Sequence, residues 1–315
     1  MIKAADNKIT VVNLNPCIDW EYRVPEFTFG GMNRINPTRK DIAGKGLNVC
    51  IALKNLGLDP LCIGFNFMEN GALIENTLNQ RGIRHNFVAV EGAIRVNIKL
   101  YEESSKIMTE LNQPGTFVNN DAQEKLLNSI KGNAILVLSG SRPAGVSEDF
   151  YAKICRQWQG KVFLDTEGKA LKIAIDTAPP FAIKPNLFEL ESTFGVSLKE
   201  PSDIAQFCRK QLISKGIQIV CVSMGANGAV LVTPEHAYFS PALNIDVKGV
   251  QGAGDAMVAG MIYGIVKNVP DCDLLKYAMS AATASVIRDG TEMCSFEDFI
   301  IYSRKVPSRS LPFLK

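Results

Sequence analysis

Histidine is scarce in this chain: 315 residues carry two, His85 and His236, and neither lies in a metal-like cluster. That disfavours a histidine-based mechanism. An excess of charge of one sign is also missing. Thirty-four Lys and Arg stand against 32 Asp and Glu, so no strong field exists for nucleic acid or a membrane surface. No apolar run reaches the roughly 18 residues that span a bilayer, and the polar start, residues 1–8, does not resemble a secretory leader. Paired cysteines are absent too. The eight cysteines are scattered without a C-x-x-C, and some sit in apolar runs such as Ile219-Val220-Cys221-Val222. This pattern predicts reduced, buried thiols in a cytoplasmic protein rather than a disulfide framework. Two nucleotide signatures are missing as well. No Gly-Lys-Ser/Thr occurs, which excludes a Walker loop, and Met257 stands where a dinucleotide fingerprint needs its third glycine, which argues against a dehydrogenase.

What the chain does have is Gly252-Ala253-Gly254-Asp255, followed by Met257, Val258, Met261, Ile262 and Ile265 at helical spacing. A small-residue loop opening a helix presents free N–H groups, and the helix dipole adds about half a positive charge there. An anion is favoured at that point, with Asp255 beside it as a base. The plainer reading is a tight turn with a capping Asp.

The apolar content, 46%, suffices for a sizeable core. Val- and Ile-rich runs at 134–138, 162–164, 181–183 and 219–222 alternate with helical patterns, including Ser147–Trp158 and Ser202–Lys215, each opening on a Ser able to cap it. Runs of this kind are usually buried on both faces of a parallel sheet. The expected architecture is one α/β domain over 1–315, with helices on both sides of a mostly parallel sheet. Ser141, Asp165, Lys184, Asn186, Ser223 and Asp255 all follow strands, so they are expected on the rim where open α/β sheets bind ligands. The first third differs. Ile94, Val96, Ile98 and Leu100 alternate with Arg95, Asn97 and Lys99, predicting a half-buried, antiparallel-type strand. That stretch, 93–112, and 18–40 together predict a small β element, either a lid or a dimer contact.

Five further features each admit two readings. Gly44-Lys45-Gly46, ahead of an apolar helix, is either an exposed turn lysine or an amine placed for a phosphate. Asn186 and Glu189 after Lys184-Pro185 form either a capping pair or oxygen ligands for a hydrated Mg²⁺. Asp19 either stabilises a turn or accepts sugar hydroxyls. Arg95 is either a solvated strand residue or a phosphate fork, and Ser139-Gly140-Ser141-Arg142 is either a loop or a hydroxyl and cation at an anionic ligand.

In this order, from Leu14-Asn15-Pro16 to Gly290-Thr291, these motifs resemble the ribokinase-like (PfkB) sugar kinases, and most of all their phosphosugar branch. The resemblance implies a three-layer α/β sandwich with a small β-sheet lid, and ATP with Mg²⁺ as cofactors. It implies Asp255 as base and the N–H groups of Gly252, Ala253 and Gly254 as an anion hole. Asn186 and Glu189 would organise Mg²⁺ and the ATP phosphates. Lys184 and Ser223, with Gly225 and Gly228, would line the nucleotide site. Asp19, Gly44 and Asn48 would hold sugar hydroxyls. Lys45, Arg95 and Ser141 would hold the phosphate already on the acceptor, joined by Arg34 from the lid, on its own or a partner subunit, and by Arg142. Departures from the branch are Ala43 for a glycine, Val250-Gln251 before the glycine loop, and Arg142 for a leucine. So many cations suit an acceptor that is already phosphorylated. The expected reaction is phosphorylation of fructose 1-phosphate at its 6-hydroxyl. The alternatives are tagatose 6-phosphate at its 1-hydroxyl, or a non-catalytic sugar-phosphate sensor. No nucleic-acid or membrane partner is expected, and a homodimer through the lid is.

Overall fold

The computed structural model describes residues 9–132 and 134–312, with the backbone alone for 36–38. The polar start at 1–8 lies outside the described residues. β1 (Ile9–Asn13) is buried throughout and ends at the cleft. The chain leaves through β2 (Cys17–Val24) and β3 (Asn36–Ala43), then returns as α1 (Lys45–Asn55), β4 (Pro60–Glu69), α2 (Ala72–Gln80) and β5 (Arg84–Ala93). It leaves again as β6 (Arg95–Glu102) and β7 (Ile107–Asn112). The alternating part follows: α3 (Asn120–Ser129), β8 (Ile135–Ser139), α4 (Phe150–Gln157), β9 (Lys161–Asp165), α5 (Gly168–Thr177), β10 (Ala182–Ile183), α6 (Leu187–Phe194), α7 (Pro201–Gln211) and β11 (Ile219–Ser223). Then come β12 (Ala229–Val232), β13 (Ala237–Ser240), α8 (Ala253–Val266), α9 (Asp271–Val286), α10 (Phe296–Ser303) and β14 (Arg309–Ser310).

Ten strands form one sheet in the order β14-β13-β12-β11-β10-β9-β8-β1-β4-β5. From β11 to β5 every pairing is parallel, and β12, β13 and β14 extend it antiparallel. The stretches 135–139, 162–165 and 219–222 of β8, β9 and β11 are buried throughout, as a sheet covered on both faces requires. α1, α8, α9 and α10 pack on one another in one layer, while α4, α5 and α6 form a separate run. α8 and α9 approach closely because Gly260 has no side chain. A Cβ there would lie 2.4 Å from the Tyr277 carbonyl oxygen.

Two helix starts differ from the expected ones. α4 begins at Phe150 with Asp149 at its cap, and the Ser147 hydroxyl donates to the Asp149 carboxylate rather than capping a helix. α7 begins at Pro201, with Glu200 and Asp203 closing a capping box, so Ser202 sits inside the first turn. Proline's fixed φ suits the first helical position, which moves the start one residue upstream.

The second sheet has four strands, in the order β3-β2-β6-β7. β6 runs parallel to β2 and antiparallel to β7, so the antiparallel reading held for one side only. Its faces are the larger correction. Asn97 and Lys99 are buried while Ile98 is 37% exposed. The polar face turns inward over the cleft, where it finds charged partners, and Ile98 turns out, while Ile94 just before the strand is buried and Val96 packs against the core.

Candidate active site

A cleft of about 1330 Å³ opens where the parallel strands end. The carboxyl ends of β1, β8, β9, β10 and β11 supply Asn13, Gly140 and Ser141, Asp165, Lys184 and Ser223. The N-termini of α1 and α8 point into it with Lys45 and Gly252 to Asp255, and the second sheet covers it with Asp19, Arg95, Asn97 and Lys99.

Gly252 caps α8 at φ 72°, a conformation that favours glycine, and a Cβ there would lie 2.3 Å from Met293 Cε. No protein acceptor among the described residues takes the N–H of Gly252 or Gly254, and that of Ala253 makes only a 3.4 Å contact with the Val250 carbonyl. Lys184 faces this helix tip. An added Cβ on Gly254 would sit 3.2 Å from its Nζ. Free N–H groups, the positive end of a helix and an ammonium therefore converge.

Asp255 is buried in the first turn of α8, and its Oδ2 accepts from Asn48 Nδ2 at 2.8 Å. Burial, reinforced by the nearby Asp165 charge, pushes its carboxyl up to about 7, against the opposing pull of Lys45, Asn48 and Lys184. Asp165 ends β9, 2% exposed. It accepts from Ser139 Oγ at 3.1 Å and pairs with Lys184 at 3.3 Å and Lys45 at 3.7 Å. Burial would raise its carboxyl, but Lys184 and Lys45 outweigh that and hold it below its ordinary value. Asp165 in turn, followed by Glu189 and Asp255, raises the Lys45 ammonium above its usual range despite burial. Two lysines from different parts of the chain are thus gathered around one carboxylate, with Asp255 close enough to feel it.

Asn186 and Glu189 make the capping box. Asn186 Oδ1 accepts from Glu189 N at 2.7 Å, and Glu189 Oε2 accepts from Asn186 N at 2.8 Å. Glu189 Oε1 faces Lys45 Nζ at 3.6 Å. The capping role is real, and it commits the Asn186 side-chain oxygen. Mg²⁺ is commonly held by one or two carboxylates plus substrate phosphates. Glu189 Oε1 fits that demand, being bonded to no backbone group.

Of the other expected residues, Gly44, Asn48, Arg95, Ser141, Arg142, Ser223, Gly225 and Gly228 all line the cleft. Arg95 spends Nη1 on the Gln113 carbonyl at 3.1 Å, and Ser141 Oγ accepts from Asn15 Nδ2 at 3.0 Å. Arg142 donates to the Val146 carbonyl of its own loop. Gly228 has φ 96°, and a Cβ there would meet the Ser240 carbonyl at 2.0 Å, so this glycine is also required by the fold. Arg34 is exposed in the loop between β2 and β3 and is not brought to the cleft of its own chain. Sequence reasoning placed Asp165 on the rim without a role and left Asn97 and Lys99 as a surface face. A carboxylate closing a buried strand, and cations alternating along another, were the signals available.

The model of the pfkB family carbohydrate kinases matches residues 7–297. The chain belongs to this family. It is 31% identical over 296 residues to a 1-phosphofructokinase of Borreliella burgdorferi, covering 92% of this chain and 94% of that one. It is 33% identical over 292 residues to a 1-phosphofructokinase of Bacillus subtilis, covering 90% and 95%. Among solved structures it is similar to phosphofructokinase-2 from Escherichia coli in complex with substrates and products, with TM-score 0.88, 25% identity, and coverage of 95% and 99%. This pfkB family chain is a kinase that phosphorylates a sugar. No helix among its described residues is long and apolar enough to cross a membrane.

Proposed function

We propose that this kinase transfers the γ-phosphoryl group of ATP to the 6-hydroxyl of fructose 1-phosphate, giving fructose 1,6-bisphosphate. The observation that carries the reading is Asp255, buried in the first turn of α8, with the charges of Lys45 and Lys184 acting on it. Phosphoryl transfer asks for in-line positioning and for charge neutralisation, and little else of the protein. Asp255 accepts the proton of the attacking hydroxyl. With its carboxyl at about 7, it is basic enough to do so and still substantially ionised near neutrality. The N–H groups of Gly252, Ala253 and Gly254, with Lys184, stabilise the oxygens of the group in flight. Bound Mg²⁺ would neutralise the β- and γ-phosphates, with Glu189 as its protein carboxylate. Ser223, Gly225 and Gly228 border the nucleotide. Asp19, Gly44 and Asn48 hold the sugar, while Lys45, Arg95, Ser141 and Arg142 face its phosphate. The second sheet serves as a lid that keeps water from ATP.

The lid also supports a homodimer. In strand register Trp20, Ile98 and Leu111 share its outer face, and Leu111 is 58% exposed. In the adjoining loop Phe29 and Met32 are 96% and 87% exposed. A second copy covering this face would bring Arg34 toward the partner's cleft.

The test is ADP release with fructose 1-phosphate, fructose 6-phosphate, tagatose 6-phosphate and free ketoses. Fructose 1-phosphate is expected to give the highest kcat/KM. A higher value for tagatose 6-phosphate would reassign the acceptor, and turnover of none of them would end the kinase assignment to phosphosugars.

A further inference from the structure

Lys99 is a buried cation whose place no packing demand explains. It is 6% exposed, lines the cleft, and donates from Nζ to Asp19 Oδ2 at 2.6 Å. Asp19 is 7% exposed, and its other oxygen accepts from Asn97 Nδ2 at 2.9 Å and Cys17 Sγ at 3.3 Å. The register explains the geometry. β2 and β6 run parallel with Asp19 opposite Asn97 and Glu21 opposite Lys99, and Lys99 is opposite Glu110 on β7. Lys99 thus has an acidic neighbour on each side in its own row, yet its ammonium reaches diagonally to Asp19, one row deeper in the cleft.

An apolar side chain would fill that position without the cost of desolvating an ammonium. A carboxylate offers about four acceptor sites. Lys99, Asn97 and Cys17 occupy three of them on Asp19, which leaves one for an incoming hydroxyl and fixes its direction. The same pair is electrically neutral, so Asp19 can sit in a pocket built for a phosphorylated acceptor without repelling it. We infer that Lys99 is a positioning residue for the acceptor: it holds Asp19 aimed at a sugar hydroxyl and cancels the charge that would otherwise oppose a dianionic phosphosugar. The inference rests on the phosphosugar reading above.

The experiment compares the wild type with Lys99→Met, Asp19→Asn, the double variant and Lys99→Arg, measuring kcat and KM for both substrates. In Lys99→Met the KM for the phosphosugar rises by roughly 10- to 100-fold, while kcat changes by less than about threefold and the KM for ATP holds, the signature of lost acceptor binding. The double variant is no worse than Asp19→Asn alone, because Lys99 acts through Asp19. Lys99→Arg recovers most of the affinity. Losses that add in the double variant would make Lys99 a direct phosphate contact and overturn the proposal. So would a Lys99→Met enzyme with wild-type acceptor KM, or one that loses ATP affinity equally. If Lys99→Met fails to fold because Asp19 is left buried and unpaired, the double variant and Lys99→Arg carry the same comparison. A wild type that prefers an uncharged ketose refutes the phosphosugar reading whatever Lys99 does, whereas a wild type that prefers a phosphosugar leaves the Lys99 result to stand or fall alone.

Discussion

Asp255→Asn should inactivate this enzyme and stabilise it at the same time. The carboxyl is raised from 3.8 to about 7, chiefly by burial. At about 1.4 kcal/mol per pKa unit, keeping it ionised in the folded state costs about 4 kcal/mol. The sign follows from the direction of the shift. Below about pH 4 the group is protonated whether folded or unfolded, and the cost vanishes. Between about pH 4 and pH 7 the unfolded chain ionises first and the cost grows; above pH 7 it is present in full. Asparagine is nearly isosteric, carries no charge, and keeps an oxygen for the Asn48 Nδ2 bond now made at 2.8 Å. Its thermal midpoint should therefore exceed that of the wild type at pH 8 by several degrees, at roughly 2 °C per kcal/mol for a chain of this size. The advantage should shrink steadily toward pH 4. Turnover should fall by roughly 10²- to 10⁴-fold through loss of the base, with ATP affinity little changed. The measurements are thermal melts from pH 4 to 8 and steady-state ADP release. A variant less stable than wild type at pH 8 would show that the carboxylate is not strained by burial, and near-normal turnover would remove Asp255 from proton transfer.

In the wild type, kcat/KM should drop about tenfold per pH unit below 7 as the same carboxyl takes up its proton; a flat profile down to pH 5.5 contradicts this. Gly254→Ala places a methyl group 3.2 Å from Lys184 Nζ within a helical turn that tolerates alanine. It should lower kcat by roughly tenfold or more, through a displaced transition-state contact, with an unchanged melting midpoint; unaltered kcat would mean that Lys184 does not act at the helix tip. Leu111→Asp, on the outer face of the small sheet at 58% exposure, should leave the protein monomeric by light scattering where the proposed dimer forms in the wild type. A wild type already monomeric at working concentration removes the lid interface.

The parts of the site that are local in sequence were the parts legible in it. The run from Gly252 to Asp255 carries its own instructions: a positive-φ glycine, small residues and a helix start. In the fold it opens α8 at Ala253 with Gly252 at the cap, as its spacing suggests. The Asn186–Glu189 pair was also local, and its capping reading is the one the fold displays. The capping box is formed, and one oxygen of Glu189 still faces the cleft. What could not be read is what depends on a neighbour far along the chain. Asp255 is held by Asn48, 207 positions earlier, and Asp19 by Lys99, 80 positions later. Alternation along β6 reveals that there are two faces, but only pairing with β2 and β7 decides which of them is inside. The helix starts missed at α4 and α7 were errors of another kind. Serine is a good cap in general, but the Ser147 hydroxyl is spent on the Asp149 carboxylate, and at α7 a proline one position upstream opens the helix first.

The reversed polarity of the small sheet links its two proposed jobs. A sheet of four strands hanging off a larger body would normally keep apolar residues inward and charges outward. Here the inward face carries Asp19, Arg95, Asn97 and Lys99, because its inner surface is not a core but one wall of a polar cleft. Ile98 and Leu111 then face out and are left where water would meet them. An apolar sheet face that water would meet calls for a cover. The chemistry of the acceptor pocket therefore creates the demand for the interface. Because alternate residues point opposite ways, the two can be separated by experiment. A substitution at Lys99 should alter acceptor binding and leave the oligomeric state as it is in the wild type, while one at Leu111 should alter the proposed assembly first and activity only through it.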